Sequence, residues 1–567
     1  MMRQWRINFI FILIFLFSAT IIGRLIFIQI LNHENWAAFA KGQQKLFLQI
    51  PAERGEILMK DKNGNFYKLA INKKWNLVYV APTEIEKKEE TAEILSQNLN
   101  LDKEFILDKI QNESFYEIIK NRISDQEIDN IRKLKLLGVY LGEESGRYYP
   151  QKNLASHVVG FLGGDGQGQY GLEEYYNDIL AGKAGYQEGE RSVQGFFLSF
   201  SEKLSPAKGG EDLTLTLDYN VQFMAEKLLA KAKEDLEIEE GTIIVADPNS
   251  GKIIAMANFP SFDPNSYSEV EDWDVFQNSA IQKIFEPGSV FKPIVMAAAL
   301  DKEKITPETT YVDEGVVKVG GWTIKNFASK TWGKRTMTEV LEKSINTGAV
   351  FAETQVGHQF FQEYIDKFGF FQPTKIDLAG EIFSQNPEFK KGYEINFATA
   401  SFGQGIEMTP LQLAMAFSVI ANGGKLITPY IAENSPKNEN LPGSGEQIIS
   451  QKTVSQLTKM LVNVVEKGYA KEAKIPGYYT AGKTGTAQVS FSALGESKAG
   501  YSGKTIQSFA GFFPAFNPKF LILVKLNNPK ASTAEYSAVP IFHELSKYII
   551  DYYQIPPDYV EEEQQNP

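Results

Sequence analysis

The chain has 567 residues, which at roughly 150 residues per domain corresponds to about three or four domains and excludes a disulfide-stapled mini-protein. There is no Cys, and the four His (His33, His157, His358 and His543) lie far apart in sequence, so thiol nucleophiles, Cys-based zinc sites and iron–sulfur clusters are excluded. Neither a metal site nor a cofactor is expected, although carboxylates alone can still hold a cation. The 70 acidic against 58 basic residues give a net charge of −12, so there is no overall basic surface to neutralise phosphates, and nucleic acid is not an expected partner.

The N-terminus decides the compartment. Residues 7–23 carry no charge, and after Arg24 the apolar character resumes through 25–31; such a run spans about 30 Å of hydrocarbon with some tilt. Arg3 and Arg6 precede it and Glu34 follows it, which places residues 1–6 in the cytoplasm and everything after the span outside. Trp5 and Trp36 bracket the segment as interfacial aromatics do. A cleaved signal peptide fits less well, because Phe17-Ser18-Ala19 puts a bulky residue where a small one is needed. No second run of spanning length follows, so the expectation is a single-pass membrane protein anchored by 7–31.

Residues 32–236 mix short β-like runs with charged helical stretches, for example 84–98 and 102–137. The Gly-rich stretch 160–168 lacks the Lys-Ser/Thr ending of a phosphate-binding loop and reads as an ordinary loop. At 241–246 and 253–257 two apolar runs joined through Asp247-Pro248-Asn249-Ser250-Gly251 read as a β-hairpin opening a new domain. Apolar helices are predicted at 290–300, 347–356, 411–421 and 454–465, and strands at 478–481 with 488–489, 507–513 and 520–526. A last helix, 539–552, would pack Ile541, Leu545, Tyr548 and Ile549 on that sheet. The fold class is therefore α+β, with one domain over 32–236, another over 237–552, and a disordered acidic tail from 553 carrying Pro556-Pro557 and Glu561-Glu562-Glu563.

Three short motifs carry chemistry. Ser289-Val290-Phe291-Lys292 follows Glu286-Pro287-Gly288 and opens an apolar helix, so Lys292 stands one turn from Ser289 on the same face. A Ser hydroxyl is a poor nucleophile until a base takes its proton, and a desolvated Lys can be that base. Ser205-Pro206-Ala207-Lys208 has the same spacing but sits in a Pro/Gly-rich loop, and serves as an internal control for chance. Ser344-Ile345-Asn346 follows a helix that opens with a capping box, Thr336 to Glu339; alone it reads as a helix-terminus loop, whereas opposite a Ser/Lys pair its hydroxyl can relay a proton and its amide can bind a peptide carbonyl. Lys483-Thr484-Gly485-Thr486 lies in a strand-like context interrupted by glycines, where a cation and a hydroxyl can hold a carboxylate.

The joint occurrence, in order, of Ser-x-x-Lys, Ser-x-Asn and Lys-Thr-Gly is the combination of penicillin-binding proteins and serine β-lactamases. The chain resembles the class B penicillin-binding proteins, monofunctional peptidoglycan D,D-transpeptidases, over nearly its whole length. Flanking stretches agree: Arg54-Gly55-Glu56-Ile57 with Asp61-Lys62-Asn63-Gly64, and Ser401-Phe402-Gly403-Gln404-Gly405 with Thr409-Pro410-Leu411-Gln412-Leu413-Ala414. The forms Phe285-Glu286-Pro287-Gly288-Ser289 and 401–405 resemble division-specific members more than elongation-specific ones.

That resemblance implies a transmembrane helix, an elongated mixed α/β pedestal, and a penicillin-binding/serine β-lactamase-like domain whose antiparallel sheet carries helices. Ser289 would attack the penultimate D-alanine carbonyl of a stem peptide, Lys292 would accept its proton, and Ser344 would pass it to the leaving amine. Asn346 would orient the donor peptide, Lys483 and Thr484 would hold its carboxylate, and the Ser289 and Thr486 N–H groups would face the oxyanion beside Gly485. The donor would lie along the Lys483 strand as an added strand. Implied partners are stem peptides with their acceptor amine, β-lactams, the membrane, a polytopic glycan polymerase and division proteins. The competing readings are an elongation-type transpeptidase, a β-lactamase or D,D-carboxypeptidase that resolves the acyl-enzyme with water, and a non-catalytic β-lactam sensor, for which the six residues before the span offer no output domain.

Overall fold

A computed structural model of the chain describes residues 2–27, 45–191, 197–434, 445–498 and 500–559. They fall into two compact units, Met1–Gly55 with Ala181–Glu211 and Glu56–Leu180 with Asp212–Pro567. In the first unit the apolar N-terminal run forms a helix, Met2–Ile26, and its described side chains, Phe11, Phe15 and Phe17 among them, are exposed. Among the described residues no helix is long and apolar enough to cross a membrane. Glu34 and Trp36 of the expected flank, and the side chains of Arg3 and Arg6, lie outside the described residues. Strands Lys45–Ile50, Gly185–Arg191 and Phe197–Ser205 form an antiparallel sheet of three. Ser205 ends the last of them, and Lys208 exchanges two backbone hydrogen bonds of 2.8 Å with Lys183, so no helical turn fixes the 205–208 pair.

In the second unit β1 (Ile57–Lys60), β2 (Phe66–Val80), β3 (Glu117–Lys120) and β4 (Val139–Tyr148) build a sheet that β5 (Leu213–Asp218) joins in parallel with β1. Helices α1 (Lys88–Leu99), α2 (Lys103–Gln111) and α3 (Asp125–Leu134) pack Leu95, Ile106, Ile110, Ile128 and Ile131 with Val78 and Val80. The helical stretch expected over 102–137 is thus two helices separated by a strand. Asn112 leaves the helical region after α2, the Ile118-Ile119 segment finds a ladder on β2, and Ser124 and Glu127 restart the helix with a reciprocal cap. Similarly, the stretch expected over 84–98 begins at Lys88, after a single turn at Pro82–Glu84. The 160–168 loop is a small hairpin pairing Phe161–Leu162 with Gly168–Gln169.

A buried ion pair ties β4 to the short helix Gly171–Tyr175. Arg147 Nε donates to Glu173 Oε1 at 2.7 Å, with the side chains 2% and 0% exposed, and the Tyr149 hydroxyl donates to the same oxygen at 3.2 Å. Removing the carboxylate takes a 2.7 Å partner from a buried guanidinium, so Glu173→Ala is expected to destabilise the fold by about 3–5 kcal/mol. A thermal unfolding midpoint within a degree of the parent would contradict this.

The larger sheet runs in the order β7 (Ile253–Phe259), β6 (Glu240–Ala246), β10 (Phe520–Asn527), β9 (Tyr501–Phe513), β8 (Ala481–Ser490), every pairing antiparallel. Its first two strands come from the start of the domain and its last three from the end, with helices between. Helices α4 (Tyr219–Leu236) and α10 (Ala538–Tyr553) pack on each other and on the sheet, as do α8 (Pro410–Ala421) and α9 (Gln451–Lys467). Phe520 to Leu526 is buried at every position, the pattern of a strand covered on both faces. The expected boundary at 236 falls after α4, yet α4 packs on this sheet, started by Asp218, whose carboxylate accepts the Asn220 and Val221 N–H groups.

Two further expectations change. The strands predicted at 478–481 and 488–489 are one continuous strand, β8, which begins at Ala481; and β9 starts at Tyr501, six residues before the predicted 507. The tail expected to be disordered from 553 is ordered through Tyr559. The Tyr478 hydroxyl donates to the Ile555 carbonyl at 2.5 Å, and the Asp558 N–H to the Gly477 carbonyl at 2.9 Å. Residues 560–567, with Glu561, Glu562 and Glu563, lie outside the described residues.

Candidate active site

Ser289 lies in a 3-10 turn, Gly288–Phe291, that runs directly into α5 (Lys292–Asp301). Pro293 sits in the first turn of α5, where a missing N–H forfeits no intrahelical bond. The turn packs on β8, and Gly485 makes that approach possible. A Cβ there would stand 2.6 Å from Ser508 Oγ and 2.8 Å from the Pro287 carbonyl oxygen.

Lys292 is 0% exposed, and its Nζ lies 2.9 Å from Ser289 Oγ, 2.7 Å from the Ser344 carbonyl oxygen, 2.8 Å from Asn346 Oδ1 and 3.2 Å from Ser344 Oγ. No carboxylate is among these partners. Burial first, and the neighbouring Lys483 charge second, hold its proton affinity well below that of an ordinary Lys. A neutral amine has two N–H donors and one lone pair. The Ser344 carbonyl and Asn346 Oδ1 can only accept, so together they consume both donors, and the lone pair is left to accept the Ser289 hydroxyl proton.

Both acceptors are set by local backbone. Helix α6 (Met337–Glu342) opens with the expected Thr336–Glu339 capping box, and the chain then turns at Ser344, whose φ of +53° is left-handed. Helix α7 (Asn346–Val356) begins two residues on. Asn346 Nδ2 donates to the Lys325 carbonyl at 3.1 Å, which fixes the amide so that its oxygen faces Lys292.

Lys483, also 0% exposed, projects from β8, the edge strand of the sheet. Its Nζ donates to Ser344 Oγ at 3.1 Å, to the Thr484 carbonyl at 3.0 Å and to Thr484 Oγ1 at 3.3 Å. Burial lowers its pKa to about 7. The Ser344 hydroxyl therefore stands between two amines, in position to carry a proton from one side of the site to the other. Thr486 is spent differently: its Oγ1 accepts the Ala534 N–H at 3.2 Å. Among the described residues, no group of three or more His, Asp or Glu could hold a metal ion.

Of the residues singled out by sequence, Ser289, Lys292, Ser344, Asn346, Lys483 and Thr484 share one hydrogen-bonded set, with Gly485 and Thr486 next along β8. Sequence reasoning missed the Ser344 and Lys325 carbonyls, because a backbone acceptor leaves no mark on residue identity. In the sequence Gly403 stands out only as part of a flanking stretch. It has φ +79°, and a Cβ there would lie 2.1 Å from the Gly288 oxygen, while Gly288 N–H donates to the Gly403 carbonyl at 2.9 Å. Gly403→Ala is therefore expected to push the Ser289 turn aside and slow acylation by a fluorescent penicillin about 100-fold; an unchanged rate would show that the turn tolerates the displacement.

Comparison with known proteins places this geometry in context. The chain matches the family model of the penicillin binding protein transpeptidase domain over residues 241–547 and that of the penicillin-binding protein dimerisation domain over residues 49–215. Stage V sporulation protein D of Bacillus subtilis (strain 168) is 34% identical over 535 residues, covering 92% of this chain and 81% of that protein. Peptidoglycan D,D-transpeptidase FtsI of Buchnera aphidicola is 32% identical over 574 residues, covering 98% and 96%. The crystal structure of penicillin binding protein 3 from Mycobacterium tuberculosis, complexed with aztreonam, superposes with a TM-score of 0.69 at 26% identity, covering 90% of this chain and 98% of that one.

Proposed function

This chain belongs to the penicillin-binding protein transpeptidase family, and from that premise we propose how its residues divide the labour of cross-linking peptidoglycan. The protein is a serine-type D,D-transpeptidase that acts on stem peptides and is a target of β-lactams. Ser289 attacks the penultimate D-alanine carbonyl; the Ser289 Oγ–carbonyl carbon bond forms as Lys292 takes the hydroxyl proton. The bond to the terminal D-alanine nitrogen then breaks, with the proton delivered through Ser344. An amine from a second stem peptide attacks the ester, its surplus proton passes to Lys292, and as the Ser289 Oγ–carbonyl carbon bond breaks Lys292 returns that proton to Ser289 Oγ. Asn346 orients the donor peptide, Lys483 and Thr484 hold its carboxylate, and the backbone N–H groups of Ser289 and Thr486 face the oxyanion. The observation that carries this reading is the buried Lys292 amine, 2.9 Å from Ser289 Oγ and within 2.8 Å of two acceptors, the Ser344 carbonyl and Asn346 Oδ1.

The test is product analysis with a stem peptide ending in D-Ala–D-Ala, with and without an amine acceptor. The expected outcome is a new amide in the acceptor's presence. Hydrolysis alone under both conditions would point instead to a D,D-carboxypeptidase, and rapid turnover of a penicillin to a β-lactamase.

The protein is also proposed to be a single-pass protein of the bacterial cell membrane, anchored by 7–31 with its N-terminus cytoplasmic and its catalytic domain outside. The charge-free run and the basic residues before it support this. The N-terminal module, 32–236, then serves as a pedestal, lifting the catalytic domain, 237–552, and meeting a polytopic glycan polymerase and division proteins. A septal role is supported by the Phe285 to Ser289 sequence, which resembles that of division-specific members. Localisation of a fluorescent fusion to the side wall would assign it to elongation instead.

A further inference from the structure

Asn346 is held from behind by a polar cluster that belongs to none of the three motifs. Its centre is Asp313, 2% exposed, at the end of strand Thr310–Asp313, which pairs with Gly333–Thr336. Its Oδ1 accepts from the Thr347 hydroxyl at 2.6 Å, the Gly315 N–H at 3.0 Å and Asn326 Nδ2 at 3.0 Å; its Oδ2 accepts from the Trp332 N–H at 2.7 Å and from Asn326 Nδ2 at 3.0 Å. Burial raises its proton affinity, but the hydrogen bond from Thr347 and those from Gly315, Trp332 and Asn326 outweigh it, so the carboxyl stays below the ordinary Asp value and ionised.

Asn326, 5% exposed, relays this anchor to the helix. Its Oδ1 accepts the Thr347 N–H at 3.1 Å, an N–H in the first turn of α7 that has no intrahelical partner. The preceding carbonyl, Lys325, holds the Asn346 amide. The cluster thus grips α7 at Thr347 from two sides and presents the acceptor that orients Asn346, whose own oxygen lies 2.8 Å from Lys292 Nζ.

We propose that Asp313 is a positioning residue for the reaction: through Asn326 and Thr347 it fixes the first turn of α7, and with it the Asn346 oxygen that aims the Lys292 lone pair at Ser289. This rests on the reading of Lys292 as the base. Every partner of Asp313 is a donor, so Asp313→Asn turns an all-acceptor group into one that sets two N–H donors against donors. Thr347→Val removes only the hydroxyl at nearly constant volume, and Thr347→Ser keeps it.

The test measures acylation by a fluorescent penicillin on the full-length, detergent-solubilised protein, separating the first-order acylation constant from the preceding dissociation constant. Asp313→Asn is expected to slow acylation about 100-fold, the cost of an ångström-scale misplacement, and Thr347→Val about 10-fold. In both, the dissociation constant should move less than about threefold. Thr347→Ser should stay within about threefold of the parent, and the double variant should lose less than the product of the single losses, because both act through one anchor.

Parent-like acylation in Asp313→Asn or Thr347→Val with an unchanged unfolding midpoint would overturn the proposal, as would a loss that merely tracks the unfolded fraction or appears wholly in the dissociation constant. Ser289→Ala separates the two levels. If that variant still labels, the reading of the site fails; if it is silent while Asp313→Asn labels normally, only the positioning role fails.

Discussion

Ser289→Ala is expected to abolish covalent labelling by a fluorescent penicillin and to lower transpeptidation by at least about 10³-fold. The substitution removes one oxygen, and the geometry leaves no substitute. Within the site the other hydroxyls are committed: Ser344 Oγ lies between Lys292 and Lys483, Thr484 Oγ1 beside Lys483, and Thr486 Oγ1 accepts from Ala534. A paired control is available in the same chain, since Ser205 precedes Lys208 by the same spacing but ends a strand. Ser205→Ala should label like the parent. Labelling that persists in Ser289→Ala, or disappears in Ser205→Ala, would reverse the assignment.

Lys292→Met is expected to lower the acylation rate by about 10²- to 10⁴-fold, the range typical of a lost general base. Met keeps much of the volume, so the 0% exposed site stays packed while the amine is gone. The pH dependence follows from the two lysines. Lys292 must be unprotonated to accept a proton, and burial with the Lys483 charge keeps it so far below the ordinary Lys range; the rate therefore rises with pH as Lys292 loses its proton. Lys483 must be charged to hold a carboxylate, and in the free enzyme it loses that charge near pH 7.

The second-order acylation constant should accordingly fall as pH rises through about 7, while the rate at saturating β-lactam falls later, because the bound carboxylate raises the Lys483 pKa. Lys483→Ala should remove the falling limb and weaken binding. A second-order constant that keeps rising through pH 9 in the parent would show that Lys483 does not hold the carboxylate.

How much of the fold and site is legible in the sequence depends on which interactions are local. Ser289 and Lys292 are one turn apart, and the Glu286-Pro287-Gly288 stop followed by an apolar run is enough to set them on one face. The capping pair Thr336 with Glu339 is equally local and forms as written. The stretch 102–137 reads as helix throughout because its charges suit a solvated helix face, while the pairing of Glu117–Lys120 with β2 is a non-local contact with residues about forty positions away. The order of the 555–559 segment has the same origin: the bonds from Tyr478 and to Gly477 come from a loop some eighty residues earlier.

The sequence by itself determined the reacting groups and their order along the chain, an apolar N-terminal run with basic residues before it, and an α+β catalytic domain, because each is written in residue identity and short-range periodicity. Tertiary structure alone decided the surroundings that hold the Lys292 amine well below the ordinary Lys range. Its protonation is a matter of burial, of a second amine brought from 191 residues away, and of two acceptors, the Ser344 carbonyl and Asn346 Oδ1, aimed by Lys325 and by a left-handed turn. Proton affinity in a protein is set by what surrounds a group, and here most of those surroundings are distant in the chain and partly backbone, which no side-chain alphabet records.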